Sequence, residues 1–289
     1  MNEQTTIEEK PELHPIDKWL RSERMPHMWC PGCGIGPTLY AWIRALDRVG
    51  IPKEKVVYVS GIGCSGRGSG YLDVDGFHTT HGRAIPFAIG LKLVKPELCV
   101  NVISGDGDLF SIGGNHFIHA CRRNVDLLVI CTNNFIYGMT GGQLAPTTPL
   151  GDRSTTSPYG NIEPSFNTPH LADASGAVYV ARWTSIHVRR LEKSIAEAMK
   201  MKGFRYIEVL SPCPINYGRR NKLPEPDDIA EWFRQSSIIR NGANTSEVQI
   251  EKGKPLILGN FVKRVGKPTF HELMRKLEEK VRGKVTVKK

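Results

Sequence analysis

The stretch CVNVISGDGD (Cys99–Asp108) runs from an apolar, β-branched segment straight into a loop of alternating Gly and Asp, and GGNHFIHACRR (113–123) behind it has helical spacing. A strand that ends on a glycine loop and continues into a helix is the unit of a parallel sheet, because parallel neighbours need a crossover. The unit recurs along the chain. VVYVS (56–60), LLVICT (127–132), AVYVA (177–181) and RYIEVLS (205–211) read as buried strands, and RAIPFAIGLKLV (83–94), with Pro86 in its first turn, and HVRRLEKSIAEAMKM (187–201) as helices. TLYAWIRALDRV (38–49) is a further helix, ended by Gly50 and Pro52. The pattern predicts an α/β fold, a mostly parallel sheet with helices on both faces, whose ligand loops lie at the strand C-termini.

The 289 residues suit one large domain with appended segments: an N-terminal arm over 1–26, an α/β domain over 27–220 and a basic C-terminal extension over 221–289 that packs on the domain or on a partner. The first twenty residues carry charge throughout and lack an apolar h-region, and no later run is long enough to cross a bilayer, so a cytoplasmic protein with no membrane attachment is expected. Seven cysteines without small-scaffold spacing fit metal ligation and buried thiols better than a disulfide framework. The net charge of +10 is spread along the chain without aromatic interleaving or a nucleic-acid motif, which favours an acidic protein partner over nucleic acid. From Lys263 onward ten Lys/Arg face three Asp/Glu on a helix-like pattern. The segment between Tyr137 and Pro169, rich in Gly, Thr, Pro and Ser, is too long for a passive connection and is expected to cover a site.

Gly105 and Gly107 let the backbone of the GDGD loop approach a ligand closely, and its amides can face a phosphate at a helix N-terminus. The next strand ends in Thr132-Asn133-Asn134, so Asp106 and Asn134 can turn oxygens toward one divalent cation, the hard donors that Mg²⁺ takes. A plain αβ turn with two Asx caps has the same composition. Cys30 and Cys33 form a C-x-x-C in WCPGCG that suits one metal centre, a zinc ion or an iron–sulfur cluster. Cys64 in GIGCSGR and Cys213 in SPCPIN sit beside Gly or Pro just past strands, whereas Cys99, Cys121 and Cys131 lie inside apolar elements as buried thiols. Spacing alone does not pair ligands so distant in sequence. Arg67 can bind a carboxylate with two parallel hydrogen bonds, His78 and His81 are candidates to contact a diphosphate or protonate an intermediate, and Met139 and Thr140 follow the NN strand as pocket lining. His116 and His119 read as packing residues.

GDGD, two dozen residues and then NN resembles the thiamine diphosphate motif. The resemblance implies that Asp106, Asn134 and the carbonyl of Ile136 hold Mg²⁺ on the diphosphate, with Gly63, Cys64, Gly105, Gly107 and Asp108 in the cofactor loops. WCPGCG, GIGCSGR, HTTHGRAIPFAIGLKL, SGDGD and SPCP together resemble the β subunit of the 2-oxoacid:ferredoxin oxidoreductases over about 25–220. That family implies that Cys30, Cys33, Cys64 and Cys213 bind one [4Fe–4S] cluster and that a basic residue at Arg67 lies near the 2-oxoacid. The glutamate that activates the thiamine aminopyrimidine belongs in that family to a separate pyrimidine-binding domain, so an α subunit is expected, in an αβ pair or its dimer. The implied reaction makes an acyl-CoA and CO₂ from a 2-oxoacid and coenzyme A, with electrons passing to ferredoxin, and runs in reverse where reductant is strong. The expected acid is 2-oxoglutarate, with pyruvate and branched-chain acids open. A non-redox thiamine lyase or synthase with a structural zinc is the competing enzyme, and a non-catalytic metal-binding interaction protein a third reading.

Overall fold

The computed structural model describes residues 14–286. In chain order its regular elements begin with α1 (Ile35–Val49), β1 (Val56–Ser60), α2 (Gly68–Tyr71), β2 (Asp75–His78), α3 (Ala84–Val94) and β3 (Cys99–Gly105). A π-helical turn over Asp108–Ile112 leads to α4 (Gly114–Arg122), β4 (Leu127–Asn133), β5 (Ile136–Tyr137), β6 (Gln143–Leu144) and α5 (Thr168–Ala174). The chain finishes with β7 (Tyr179–Thr184), α6 (Val188–Met199), β8 (Phe204–Leu210), α7 (Pro226–Ser236), β9 (Ser237–Ile239), β10 (Leu256–Lys263) and α8 (Phe270–Thr286). Eight strands form one sheet in the order β2-β1-β3-β4-β8-β7-β10-β9. All pairs are parallel except β10 on β7, where the register shifts at Asn260/Val262. The apolar runs of β1, β4, β7 and β8 are buried at every residue, as strands covered on both faces must be.

Helices α1, α6 and α7 cover one face. Trp42, Ile43 and Leu46 of α1 and Leu191 and Ile195 of α6 are buried there, and Trp42 meets Tyr58 of β1 edge-on at 5.5 Å. Each fully buried Ile or Leu contributes about 1.5–3 kcal/mol relative to exposure, so this α1–α6 seam is a principal source of stability. Helices α3, α4 and α5 cover the other face around Phe117, whose ring contacts Phe110, Phe204 and Tyr206 at 4.8–5.4 Å.

The sequence-predicted strands and helices are present with their ends moved by a few residues, and eight elements are additional. β2 has only exposed residues and no apolar run, α5 is a short helix capped by Asn167 inside the Thr/Pro-rich segment, and β10 is interrupted by Gly259. α2, the two-residue strands β5 and β6, α7 and β9 complete this set. Of the arm expected over 1–26, residues 1–13 lie outside the described residues. The rest packs on its own chain: Trp19 is buried with its indole N–H donating to Asp47 at 3.0 Å, and Leu20 bridges Leu72. The segment after 220 adds β10 and β9 to the sheet, and α8 starts on a reciprocal Thr269–Glu272 cap. Residues 287–289 of the basic tail are outside the described residues. No helix among the described residues is long and apolar enough to cross a membrane.

At the centre of the sheet Arg182 and Glu208 form an ion pair, each side chain about 1% exposed. Glu208 Oε1 also accepts Asn133 Nδ2–H at 2.8 Å and the Thr168 hydroxyl at 2.7 Å, and Arg182 donates to the Val248 carbonyl. The carboxylate thereby ties β7, β8, the end of β4 and the start of α5. Glu208→Leu strands a buried guanidinium and a buried amide, and should cost roughly 3–5 kcal/mol. Urea unfolding checks this, and a midpoint equal to that of the parent would contradict it.

Candidate functional site

Because β1, β2, β3, β4 and β8 run parallel, the loops that leave them emerge at one edge of the sheet, carrying Cys64, His81, Asp106, Asn134 and Cys213 respectively. The C-x-x-C comes to the same edge from the other direction, on the turn before α1, where Cys33 N–H donates to the Cys30 carbonyl at 3.0 Å. Gly34 makes this approach possible. A β-carbon there would collide with Ser185 and Ser211 at the ends of β7 and β8.

Asp106 is 1% exposed at the bottom of a cavity of about 200 Å³. Its carboxylate accepts the Asn134 amide at 3.3 Å and the Thr147 hydroxyl, both neutral donors. Burial pushes its carboxyl up to about 6, and the hydrogen bonds from Thr147 and the amides of Asn134, Asp106 and Gly107 only partly offset that. A buried carboxylate held only by neutral groups, with Asn134 beside it, is a donor set that a hard divalent cation fits.

The direction of Asn134 is set by its neighbours. Asn133 turns away, its amide on Glu208 and its oxygen accepting Phe135 N–H at 3.1 Å. Phe135 is fully buried with φ of 65°, a conformation costly for a bulky residue, and its carbonyl accepts the Thr148 hydroxyl at 2.5 Å. This reversal lays Ile136 and Tyr137 over the GDGD loop, where Gly107 leaves no room for a β-carbon against the Tyr137 ring. Asn134 Oδ1 accepts Ile136 N–H at 3.2 Å, and its own carbonyl accepts Cys213 N–H at 3.4 Å.

Asp108 does different work from Asp106. One oxygen accepts Ile62 N–H at 3.1 Å and Gly82 N–H at 2.7 Å and lies 2.7 Å from His81 Nδ1, while the other accepts the Ser104 hydroxyl at 2.8 Å. It clamps the loops after β1, β2 and β3 together. With Nδ1 on Asp108, the Nε2 of His81 is left for the cavity that His81 lines.

Cys30, Cys33, Cys64 and Cys213 line an adjoining cavity of about 240 Å³. Cys30 is exposed and the other three are half-buried. The Cys33 thiol is pushed up to about 12, chiefly by burial, with charge on Cys213, Cys64 and Cys30 adding and a backbone hydrogen bond at Ile35 opposing. Cys64 is raised by burial and then by Cys213 and Cys30. Asn216 N–H points at Cys213 Sγ at 3.4 Å, and the Trp29 indole donates to the Cys64 carbonyl at 2.8 Å. Among the described residues no three of His, Cys, Asp and Glu converge on a single ion. Four sulfurs around one zinc stand about 2.3 Å from it, almost in contact with one another. Four cysteines on one cavity are the soft donor set that an iron–sulfur cluster takes. Cys121 and Cys131 are fully buried in the other face of the sheet.

Of the residues expected in the site, Gly63, Cys64, Gly105, Asp106, Gly107, Asp108, Asn134, Ile136, His81, Met139 and Thr140 line the first cavity. Arg67 is not among them. It lines the cysteine cavity and a basic cavity beyond it, which also contains His78, and its Nε sits 3.1 Å from Met28 Sδ. Thr147, Ile62, Ser65, Tyr137 and Trp29 are wall or hydrogen-bonding residues not singled out from sequence. Thr147 had no distinguishing signal among the Thr and Pro residues around it.

Residues 61–209 match the family of the thiamine pyrophosphate enzyme, C-terminal TPP binding domain. The chain is 48% identical over 271 residues to the 2-oxoglutarate synthase subunit KorB of Methanocaldococcus jannaschii, covering 94% of this chain and 100% of that one. It is 50% identical over 264 residues to the subunit of the same name from Archaeoglobus fulgidus, covering 91% and 94%. Its fold superposes with a TM-score of 0.83 and 32% identity, over 95% of this chain and 92% of the other, on a 2-oxoglutarate:ferredoxin oxidoreductase from Magnetococcus marinus solved with 2-oxoglutarate, coenzyme A and succinyl-CoA bound. A buried oxygen pocket beside a four-cysteine cavity, set at the strand ends of a parallel sheet, thus accompanies near full-length similarity, and the chain belongs to the β subunits of the 2-oxoacid:ferredoxin oxidoreductases, thiamine-dependent enzymes that work with an α subunit.

Proposed function

We propose that this chain is the cofactor-bearing β subunit of a 2-oxoglutarate:ferredoxin oxidoreductase. The reaction breaks the C1–C2 bond of 2-oxoglutarate, forms the thioester of succinyl-CoA, releases CO₂ and a proton, and passes two electrons singly to ferredoxin; strong reductant reverses it. The observation that carries the reading is the shared wall: Cys64, Asn134, Gly138 and Met139 line both the oxygen pocket and the cysteine cavity. When bound, thiamine diphosphate supplies a carbon nucleophile and electron sink, and a [4Fe–4S] cluster accepts electrons one at a time.

The remaining work falls to residues of this chain. Asp106, Asn134 and the Ile136 carbonyl would hold Mg²⁺ on the diphosphate, and Gly105 and Gly107 would let the backbone approach it closely. His81, pinned through Nδ1, presents Nε2 for a hydrogen bond or a proton transfer at the pocket. Met139 and Thr140 line the substrate side, and Cys30, Cys33, Cys64 and Cys213 would hold the cluster. Gly138 lies in this partition, where a β-carbon would crowd the Asn134 side-chain amide at 3.2 Å and touch Cys64 Sγ and Cys213 Sγ at 3.7 Å. All these residues fall within 27–220, the unit we assign to the cofactors, with 1–26 and 221–289 as its flanks. The aminopyrimidine-activating glutamate comes from the α subunit, in an αβ pair or its dimer, and coenzyme A is the acyl acceptor. The relatives named for 2-oxoglutarate support that acid over pyruvate and branched-chain acids.

Steady-state assay of the αβ complex with viologen as acceptor should give its highest kcat/KM with 2-oxoglutarate; a clearly higher value for pyruvate or a branched-chain acid would replace the substrate. Anaerobically purified complex should contain iron and acid-labile sulfide, whereas zinc without sulfide would favour the lyase reading. Cys213→Ser should abolish most of the visible cluster absorption and Cys121→Ser should leave it intact, because only the first lines the cavity; equal spectra for the two variants would refute the ligand set.

A further inference from the structure

Thr147 reaches Asp106 from the long Thr/Pro-rich segment between Tyr137 and Pro169. Its hydroxyl donates to Asp106 Oδ2, the residue is buried, and among the described residues it is the one side chain that hydrogen-bonds this carboxylate. We infer that Thr147 is a positioning residue for the divalent cation: its hydroxyl holds the Asp106 carboxylate in one orientation and satisfies the buried oxygen that main-chain donors leave open. The inference rests on the assignment of Asp106 to the cation in the proposed function, and it brings into that site a residue outside the GDGD and NN segments.

The two aspartates of the loop differ in how they are held. Asp108 is engaged on both oxygens by the Ile62 and Gly82 amides, His81 and the Ser104 hydroxyl, so it would keep its place if any one of them were lost. Asp106 has no such redundancy. Asn134 N–H reaches Oδ1 at 3.3 Å, a long bond, and Thr147 takes Oδ2, so the two donors on different oxygens together fix the carboxylate plane. Without the hydroxyl the group can turn about its Cβ–Cγ bond, and a carboxylate oxygen 1% exposed at the residue level loses its side-chain partner. Outer partners that orient a metal-ligating carboxylate are worth about 10–100-fold in metal affinity.

The turn that carries Thr147 is itself fixed. Phe166 N–H donates to the Pro146 carbonyl at 2.9 Å, Thr148 N–H to the Ala145 carbonyl at 3.0 Å, and Asn161 Nδ2–H to the Thr148 carbonyl at 2.8 Å. The Thr148 hydroxyl accepts Ala145 N–H at 2.9 Å and donates to the Phe135 carbonyl at 2.5 Å. These bonds seat the turn without the Thr147 hydroxyl, which is left for Asp106. They also place it on the strand end that presents Asn134, since Phe135 is the next residue. Adjacent threonines of one turn thus reference both side-chain oxygen donors, Thr147 by holding Asp106 directly and Thr148 by holding the reversal beside Asn134. Thr147 is in contact before any cation arrives, so no loop has to close for it to act.

The test uses the assembled αβ complex, freed of divalent cations with EDTA and titrated with Mn²⁺ in the presence of thiamine diphosphate, with free Mn²⁺ read by electron paramagnetic resonance. Thr147→Val should weaken Mn²⁺ binding tenfold or more, and Thr147→Ser, which keeps the hydroxyl, should restore most of the affinity. Visible cluster absorption should be equal in the parent and both variants, which shows that the complex is assembled. Viologen-linked turnover of Thr147→Val should be low at limiting Mg²⁺ and return toward the parent level at saturating Mg²⁺, a recovery that a damaged fold would not give. Parent-like Mn²⁺ affinity in Thr147→Val would overturn the inference, and so would an equal loss in Thr147→Val and Thr147→Ser. Where Thr147→Val does not assemble, Thr147→Ala is held to the same two outcomes. A parent complex that binds no Mn²⁺ with thiamine diphosphate would instead remove the metal assignment on which the inference rests.

Discussion

The buried Glu208 carboxylate fixes the end of β4, and the rest of the site follows from that end. By engaging Asn133 it sends the first asparagine of the pair into the sheet and leaves Asn134 at the edge. The Asn133 side chain then accepts Phe135 N–H and stabilises a left-handed turn that a buried phenylalanine would not adopt alone. Two consequences meet at Asn134: its amide donates to Asp106, and its carbonyl accepts Cys213 N–H. One strand end therefore sets the registration between an oxygen-donor pocket and a sulfur-donor cavity. A buried ion pair is weak evidence for stability, but here its remaining lone pairs are used, and the geometry it enforces is the geometry the site needs.

The site is also where the fold carries uncompensated electrostatic cost. Asp106 is buried with neutral partners, and Cys33 and Cys64 are thiols whose ionisation is opposed by burial and by one another. Each of these penalties changes sign when a cation is present: a divalent ion offsets the Asp106 charge, and iron favours thiolates over thiols. Ligands that bind only the folded state stabilise it in proportion to the logarithm of their concentration over Kd. The loops after β1 and β3 and the turn before α1 gain most, because they hold Cys64, Asp106 and Cys33.

Much of this architecture was legible in the sequence because fully buried parallel strands are written as short continuous apolar runs, as in VVYVS and LLVICTN. β2 was not, since DGFH is exposed at all four positions and joins the sheet only through backbone hydrogen bonds to β1. β10 escaped because Gly259 interrupts it and a bulge at Asn260/Val262 breaks its alternation. In the site, the residues that announce themselves are Cys, Asp and Asn at strand ends. Thr147 does not, because its role depends on a loop folding back from forty residues away to reach Asp106. Asp106 and Asp108 are indistinguishable as letters, and only tertiary structure shows that one faces the cavity while the other ties three loops together.

Arg67 shows how position within one loop decides chemistry. It follows Cys64 by three residues, and the chain turns at Ser65–Arg67 and enters α2, so that Arg67 lines the cysteine cavity. Gly66 is required there, because a β-carbon would strike the Gly61 carbonyl, and Gly68 is required because one would strike the Tyr58 hydroxyl. The backbone of the turn is therefore pressed against β1. Cys64 lines both the oxygen pocket and the cysteine cavity and Arg67 only the second of these, so a single three-residue turn spans from one cavity to the far wall of the other.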